Sequence, residues 1–271
     1  MRQISYILII SLLLYTCNAT NKQDKQTTMT PTEQLKAILT ESYTSEDGDE
    51  YRVELKPGLT DQQIDSLAQG LPNGQIPNEI RELLKFTSGF EFFGLEGVTF
   101  DGVGQFGFEE FFPTSVQLAG DGFGNFWILD VNKNGQWGSI FYVCHDPAVI
   151  VKHSENLTEF IKHVDEFGKK GKQSNLDIIH EVTVMDIWSK NNGFVDKSTA
   201  MASSDEKLKS FATSLPDNFV VVDLRDKPLK SGFAWGKFGS KTEKVKRLES
   251  ELIWGIEKVE KKGILSRLFG K

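Results

Sequence analysis

The chain has 271 residues, 39% hydrophobic and 25% charged, with a formal net charge of −7. That length suits one large domain or two modest ones, and that composition excludes wholesale disorder. Charge is unevenly spread: residues 41–130 hold 17 acidic and 4 basic side chains, net −13, whereas residues 227–271 hold 12 basic and 5 acidic, net +7. The acidic part repels phosphates, so direct nucleic-acid binding by it is not expected, and it suits a basic protein partner. The same acidity also serves solubility alone. The basic end reads as a solvated helix face or as a contact to an anionic surface.

Residues 1–17 read as an export signal. Arg2 gives a thin positive start, residues 4–14 are mostly apolar, and Tyr15, Thr16 and Cys17 follow. The apolar run is too short for a comfortable membrane span. A cysteine in this place resembles a bacterial lipobox, so Cys17 is the expected lipid attachment site and the cell envelope the expected location. An uncleaved anchor is one alternative. Translation from Met29, which would make the protein cytoplasmic, is another. Residues 18–29 read as a polar tether. With Cys17 acylated, Cys144 is the one remaining thiol and no intramolecular disulfide can form.

Thr30, Pro31 and Glu33 open a first helix, with Thr30 as cap and Glu33 closing a capping box. Thr60 and Gln63 form a second box ahead of Ile64, Leu67 and Ala68. A third helix enters through Pro77, carries Ile80, Leu83, Leu84 and Phe86, and stops at Gly89. Short strands are then expected at 90–100, 115–119, 125–131, 139–143 and 148–151. Ser154 is expected to cap a helix bearing Leu157, Phe160, Ile161, Val164 and Phe167, ended by Gly168.

Residues 168–175 read as a linker between a first domain, 30–167, and a C-terminal α+β unit, 176–271. In that unit strands are expected at 178–188, 219–224 and 232–238, and a helix at 205–215. A second helix is expected from Ser240, with Glu243 as capping partner and Val245, Leu248, Leu252, Ile256 and Val259 along one stripe.

The polar motifs read as turns. The run from Asp130 to Gly135 resembles half of a calcium loop, but the twelfth position, which needs a bidentate glutamate, is Phe141. A hairpin closed by Asn134 and Gly135 fits better. Asp121, Gly122 and Gly124 make a tight turn into a strand, with no lysine and serine or threonine to complete a phosphate loop. His145, Asp146 and Pro147 supply too few ligands for a metal, and His153, His163 and His180 add no useful spacing. A turn in which Asp146 bonds the backbone is expected there. Cys144 and His145 are strand neighbours and point to opposite faces, so they make no dyad. No catalytic set, metal site or cofactor site is expected.

In order, these pieces resemble the SUKH superfamily, the Smi/Knr-like domains of many bacterial immunity proteins. The early signature runs from Ile76 and Pro77 through Leu83 and Leu84 to Gly89, with Ser88 where asparagine is usual. The later one runs from Leu118 through Asp121, Gly122, Gly124 and Trp127 to Asp130. Gly135, then His145, Asp146 and Pro147, and then Ser154, Leu157, Glu159, Phe160 and Ile161 complete it. The resemblance covers roughly half the chain and leaves residues 176–271 unexplained. It implies an α+β fold, a mixed, mostly antiparallel sheet flanked by helices, followed here by the smaller α+β unit. It implies a non-enzymatic protein-binding module, an immunity protein for a partner such as a basic toxin domain. Under it, Pro77, Gly89, Asp121, Gly122, Gly124, Asp130, Gly135, Asp146 and Pro147 are fold-specifying turn residues. The alternatives are a lipid-anchored envelope scaffold or regulator, and an enzyme with catalysis in the C-terminal unit.

Overall fold

The computed structural model describes residues 29–259 apart from Glu46, Gln105, Ser240 and Lys241. The expected signal, Cys17 and nearly all of the tether lie outside the described residues. No helix among the described residues is long and apolar enough to cross a membrane.

The fold is α+β. Helix α1 (Pro31–Ile38) and helix α2 (Asp61–Ala68) both start in complete capping boxes, on Thr30 with Glu33 and on Thr60 with Gln63. Between them lie the short strands β1 (Tyr43–Thr44), β2 (Glu50–Tyr51) and β3 (Glu54–Leu55). Helix α3 (Asn78–Phe86) has Pro77 as its N-cap residue and ends at Thr87, two residues before the expected stop at Gly89. Gly89 instead begins β4 (Gly89–Glu91), where a Cβ would meet the Val98 carbonyl oxygen at 2.1 Å. The single strand expected over 90–100 is two, β4 and β5 (Val98–Thr99), joined by a turn.

The four long strands fall as expected: β6 (Ser115–Gly120), β7 (Phe126–Val131), β8 (Trp137–His145) and β9 (Ala148–Ser154). They form an antiparallel meander. Helix α4 (Leu157–Lys170) is capped by Asn156, whose Oδ1 accepts from the Glu159 amide at 2.9 Å. Ser154, the expected cap, belongs to β9. Gly168 lies inside α4, and the expected linker is a helix end followed by one tight turn at Gly171–Gln173.

The C-terminal part departs further from expectation. Residues 178–188, read as a strand, are helical: a π-turn segment (Ile179–Val184) runs into α5 (Met185–Lys190). Its β-branched residues suggest a strand locally, but Leu176, Ile179, Val184 and Ile187 all join the first core. Tertiary burial outweighs local propensity here. Then come β10 (Phe194–Asp196), α6 (Lys197–Met201), α7 (Glu206–Ser214), β11 (Phe219–Asp223) and β12 (Gly232–Phe233). Among the described residues, the long helix expected from Ser240 is not found; one 3-10 turn (Thr242–Lys244) stands there instead. Strands β13 (Val245–Arg247) and β14 (Ile253–Glu257) occupy its place and pair antiparallel. Val245, Leu248, Leu252 and Ile256 fit a helical stripe, but Trp254 and Ile253 are fully buried too, and burial on both faces needs a strand.

Two sheets carry the architecture, with strand orders β12-β9-β8-β7-β6 and β10-β11-β14-β13. Residues of β7, β8 and β9 alternate between two cores, whereas a register shift in β6 brings both Leu118 and Ala119 to the same one. Trp127, Leu129, Ile140, Tyr142 and Cys144 face the core built with α1 to α4. Ile128, Phe141, Val143 and Ile150 face Val220, Val222, Trp254 and Ile256 of the second sheet. Helices α6 and α7 cover the far side of that sheet through Ala200, Phe211 and Ala212. The order is helices, sheet, sheet, helices. The C-terminal part also supplies β12, which pairs with the β9 edge of the first sheet.

Candidate functional site

The turn between β6 and β7 is held by one carboxylate. Asp121 Oδ1 accepts from the amides of Phe123 at 2.8 Å and Asn125 at 3.1 Å. Its Oδ2 accepts from Asn125 Nδ2 and from the Tyr142 hydroxyl, both at 2.7 Å. Burial pushes the Asp121 carboxyl up, but these bonds from Asn125, Tyr142 and Phe123 outweigh burial and hold it below the usual carboxylate range. Gly122 and Gly124 take φ of +79° and +85°, which side chains rarely adopt. Phe123 between them is thrust outward and is 81% exposed.

Asn125 joins this turn to the next. Its Oδ1 accepts from the His145 amide at 3.1 Å and lies 2.9 Å from His145 Nδ1. The turn from β8 to β9 then passes through a cis Asp146–Pro147 peptide bond. Facing it is the start of the π-turn segment. His180 Nε2 lies 3.3 Å from the Asp146 carbonyl oxygen and His180 Nδ1 lies 2.9 Å from Glu181 Oε1. Burial alone would lower the His180 pKa, but Glu181 and the Asp146 carbonyl outweigh it and raise the value above normal.

These three segments enclose a cleft of about 530 Å³. Its lining includes Asp121, Asp146, Asp177, Glu181, His145 and His180 and, among the described residues, no lysine or arginine. Trp127 lies in its lining at 2% exposure, and its indole Nε1 has no hydrogen-bond partner.

Residues 58–163 match the SMI1 / KNR4 family (SUKH-1). That segment, less than half of the chain, is similar to SUKH-1 domains. Neither the search of curated proteins nor that of solved structures found a match. The Asp121 turn, Tyr142 and the His145–Asp146 turn lie within the SUKH-1 segment. The facing wall, from Leu176 to Glu181, lies beyond it.

The turn residues read from the sequence fall in four places. Asp121, Gly122, Gly124, Asp146 and Pro147 cluster at the cleft end of the SUKH-1 sheet. Gly135 closes the β7–β8 hairpin at the other end, with φ +74°, against the backbone of Pro72 and Gln75. Pro77 and Gly89 flank α3. Asp130 is not a turn residue at all. It lies in β7 at 7% side-chain exposure, and its two oxygens each accept from Arg247 at 2.7 Å. Arg247, 3% exposed, also donates to the Phe111 carbonyl at 3.0 Å and sits 5.2 Å from the Trp254 ring centre. This ion pair locks the second sheet onto the SUKH-1 sheet. Cys144 is buried, and burial pushes its thiol up to about 11.

Sequence spacing missed Asn125 as the connector of the two turns, and His180 and Glu181 as a wall. The Asp121-to-Asn125 interval of four was the only available signal. It also missed a buried pair. Ser154 Oγ lies 2.8 Å from His153 Nδ1 and 3.1 Å from His163 Nδ1. Burial first, then His163 and Lys230, push the His153 pKa down to about 3. Ser154 is fully buried, so no substrate can reach it, and this trio packs the core.

Proposed function

We propose that this chain is a non-enzymatic protein-binding module, an immunity protein that neutralises a toxin by direct binding. The observation that carries the reading is the SUKH-1 match over the segment that supplies the Asp121 and His145–Asp146 turns. Its chemistry supports the same reading. The Asp121 carboxylate is consumed by four internal hydrogen bonds, so it holds shape rather than moving protons. The test is co-expression with a basic toxin domain encoded beside this gene. A stable complex on size exclusion, with protection of the cells, is the expected outcome. The absence of both a complex and protection would refute the reading.

A second reading, a lipid-anchored envelope scaffold or regulator without a toxin, is favoured by the apolar run at residues 4–14 and the cysteine that follows. It places the protein in the cell envelope through Cys17. Fractionation tests it: Cys17→Ala should move the protein from membranes to the soluble fraction. A wild-type protein already wholly soluble would end this reading and favour a start at Met29.

A further inference from the structure

We propose that the cleft beside Phe123 is the partner's docking site and takes an extended, positively charged segment of a protein, with an arginine or lysine side chain set against the exposed Glu181. This rests on the protein-binding function proposed above and names the surface and the chemistry of the partner. Three independent observations converge on it.

The first is charge. A cleft whose lining has four acidic residues and, among the described residues, no lysine or arginine carries a negative potential that favours a cation over an anion. Asp121 is held ionised by its hydrogen bonds, and Glu181 stands exposed at the opposite wall. The second is the orphaned indole. Trp127 is 2% exposed, lines the cleft and keeps an Nε1–H with no acceptor. A peptide carbonyl entering the cleft supplies the missing partner, and unsatisfied buried donors are uncommon. The third is Phe123. A phenyl ring 81% exposed on a turn fixed by Asp121 is a preformed apolar contact, and a rigid aromatic beside a polar cleft is the makeup of a binding hot spot.

Selectivity then lies partly outside the SUKH-1 segment. Ile179 is buried in the core and anchors the wall, while His180 and Glu181 face the incoming chain. Residues the family match does not include thus decide which cation is accepted.

The experiment uses the full chain labelled with nitrogen-15. It is titrated with the peptide Ac-Gly-Arg-Gly-amide and with the same peptide carrying citrulline, which keeps the shape and removes the charge. The expected result is saturable shifts of the Phe123, His145 and His180 amides with the arginine peptide. Affinity for the citrulline peptide should be roughly tenfold weaker. Glu181→Lys, at an exposed position, should weaken the arginine peptide likewise and leave the remaining amide spectrum unchanged. No shift at the cleft, or equal response to both peptides, overturns the proposal. Binding seen only after truncation behind Val259 would assign the cleft to the chain's own basic end and overturn it too. A toxin complex that forms and resists Glu181→Lys and Phe123→Ala would leave the proposed function standing and remove this docking site.

Discussion

Asp121 and Asp130 lie at the two ends of the same stretch of the SUKH-1 sheet, one in the turn before β7 and one near the end of that strand. Both carboxylates are used up by internal partners. Asp121 is held by neutral donors, three of them within four residues and the fourth on the neighbouring strand. Asp130 is held by one guanidinium 117 positions away, at the seam between the two sheets. The first arrangement specifies a turn and leaves the surface beside it open. The second seals two layers together and leaves nothing open. The difference predicts that damage at Asp130 is global and damage at Asp121 is local.

The sharpest way to break the comparison is Arg247→Ala. It leaves Asp130 charged and buried without a partner, which costs about 3–5 kcal/mol for a pair of this kind. Urea unfolding of the whole chain measures it. A loss under about 1 kcal/mol would mean that water reaches Asp130 and that the seam is loose. Asp121→Ala should cost less, about 2 kcal/mol, because the freed amides of Phe123 and Asn125 can turn to solvent while the Tyr142 hydroxyl is left buried. Its amide-exchange protection should fall in the turn and persist in β13 and β14.

A pH series gives the next effect. His153 has a folded pKa far below its unfolded value, so its contribution to stability is present above about pH 6.5 and is lost as pH falls toward 3. The slope is at most about 1.4 kcal/mol per pH unit from this one group. His163 is also pushed down, by burial first, with Glu159 and Glu166 opposing and Lys162 and Lys230 assisting. His153→Phe should flatten the acid limb of the stability curve, and an unchanged limb would show that His153 is already solvated. The smallest effect is expected from Phe123→Ala. Removal of an exposed ring should leave the unfolding free energy within about 0.5 kcal/mol of wild type. A larger loss would place that ring in the core rather than at a binding surface.

The same pair shows how much was legible beforehand. Asp121, Gly122 and Gly124 were readable because their partners are close in sequence and their backbone needs are local. The four long strands and the two capping boxes were readable for the same reason. Asp130 was read as part of a turn because Arg247 cannot be found from spacing. His180 and Glu181 were placed on a strand because local composition favours one, while burial of Ile179, Val184 and Ile187 enforces a helix. The strands β13 and β14 were hidden by an apolar spacing that fits a helix equally well.

Gly232–Phe233 has a consequence for how anything can be recognised. By hydrogen-bonding along β9, it fills one margin of the SUKH-1 sheet from within the molecule. At the opposite margin, single bridges from Glu96 to Gly120 and from Val103 to Val116 interrupt the free side of β6. Among the described residues, a two-residue strand at one border and two single bridges at the other leave little room for an incoming chain to be zipped on as an extra strand. Recognition by this sheet is therefore directed to its turns and to the cleft beside them, where single substitutions act.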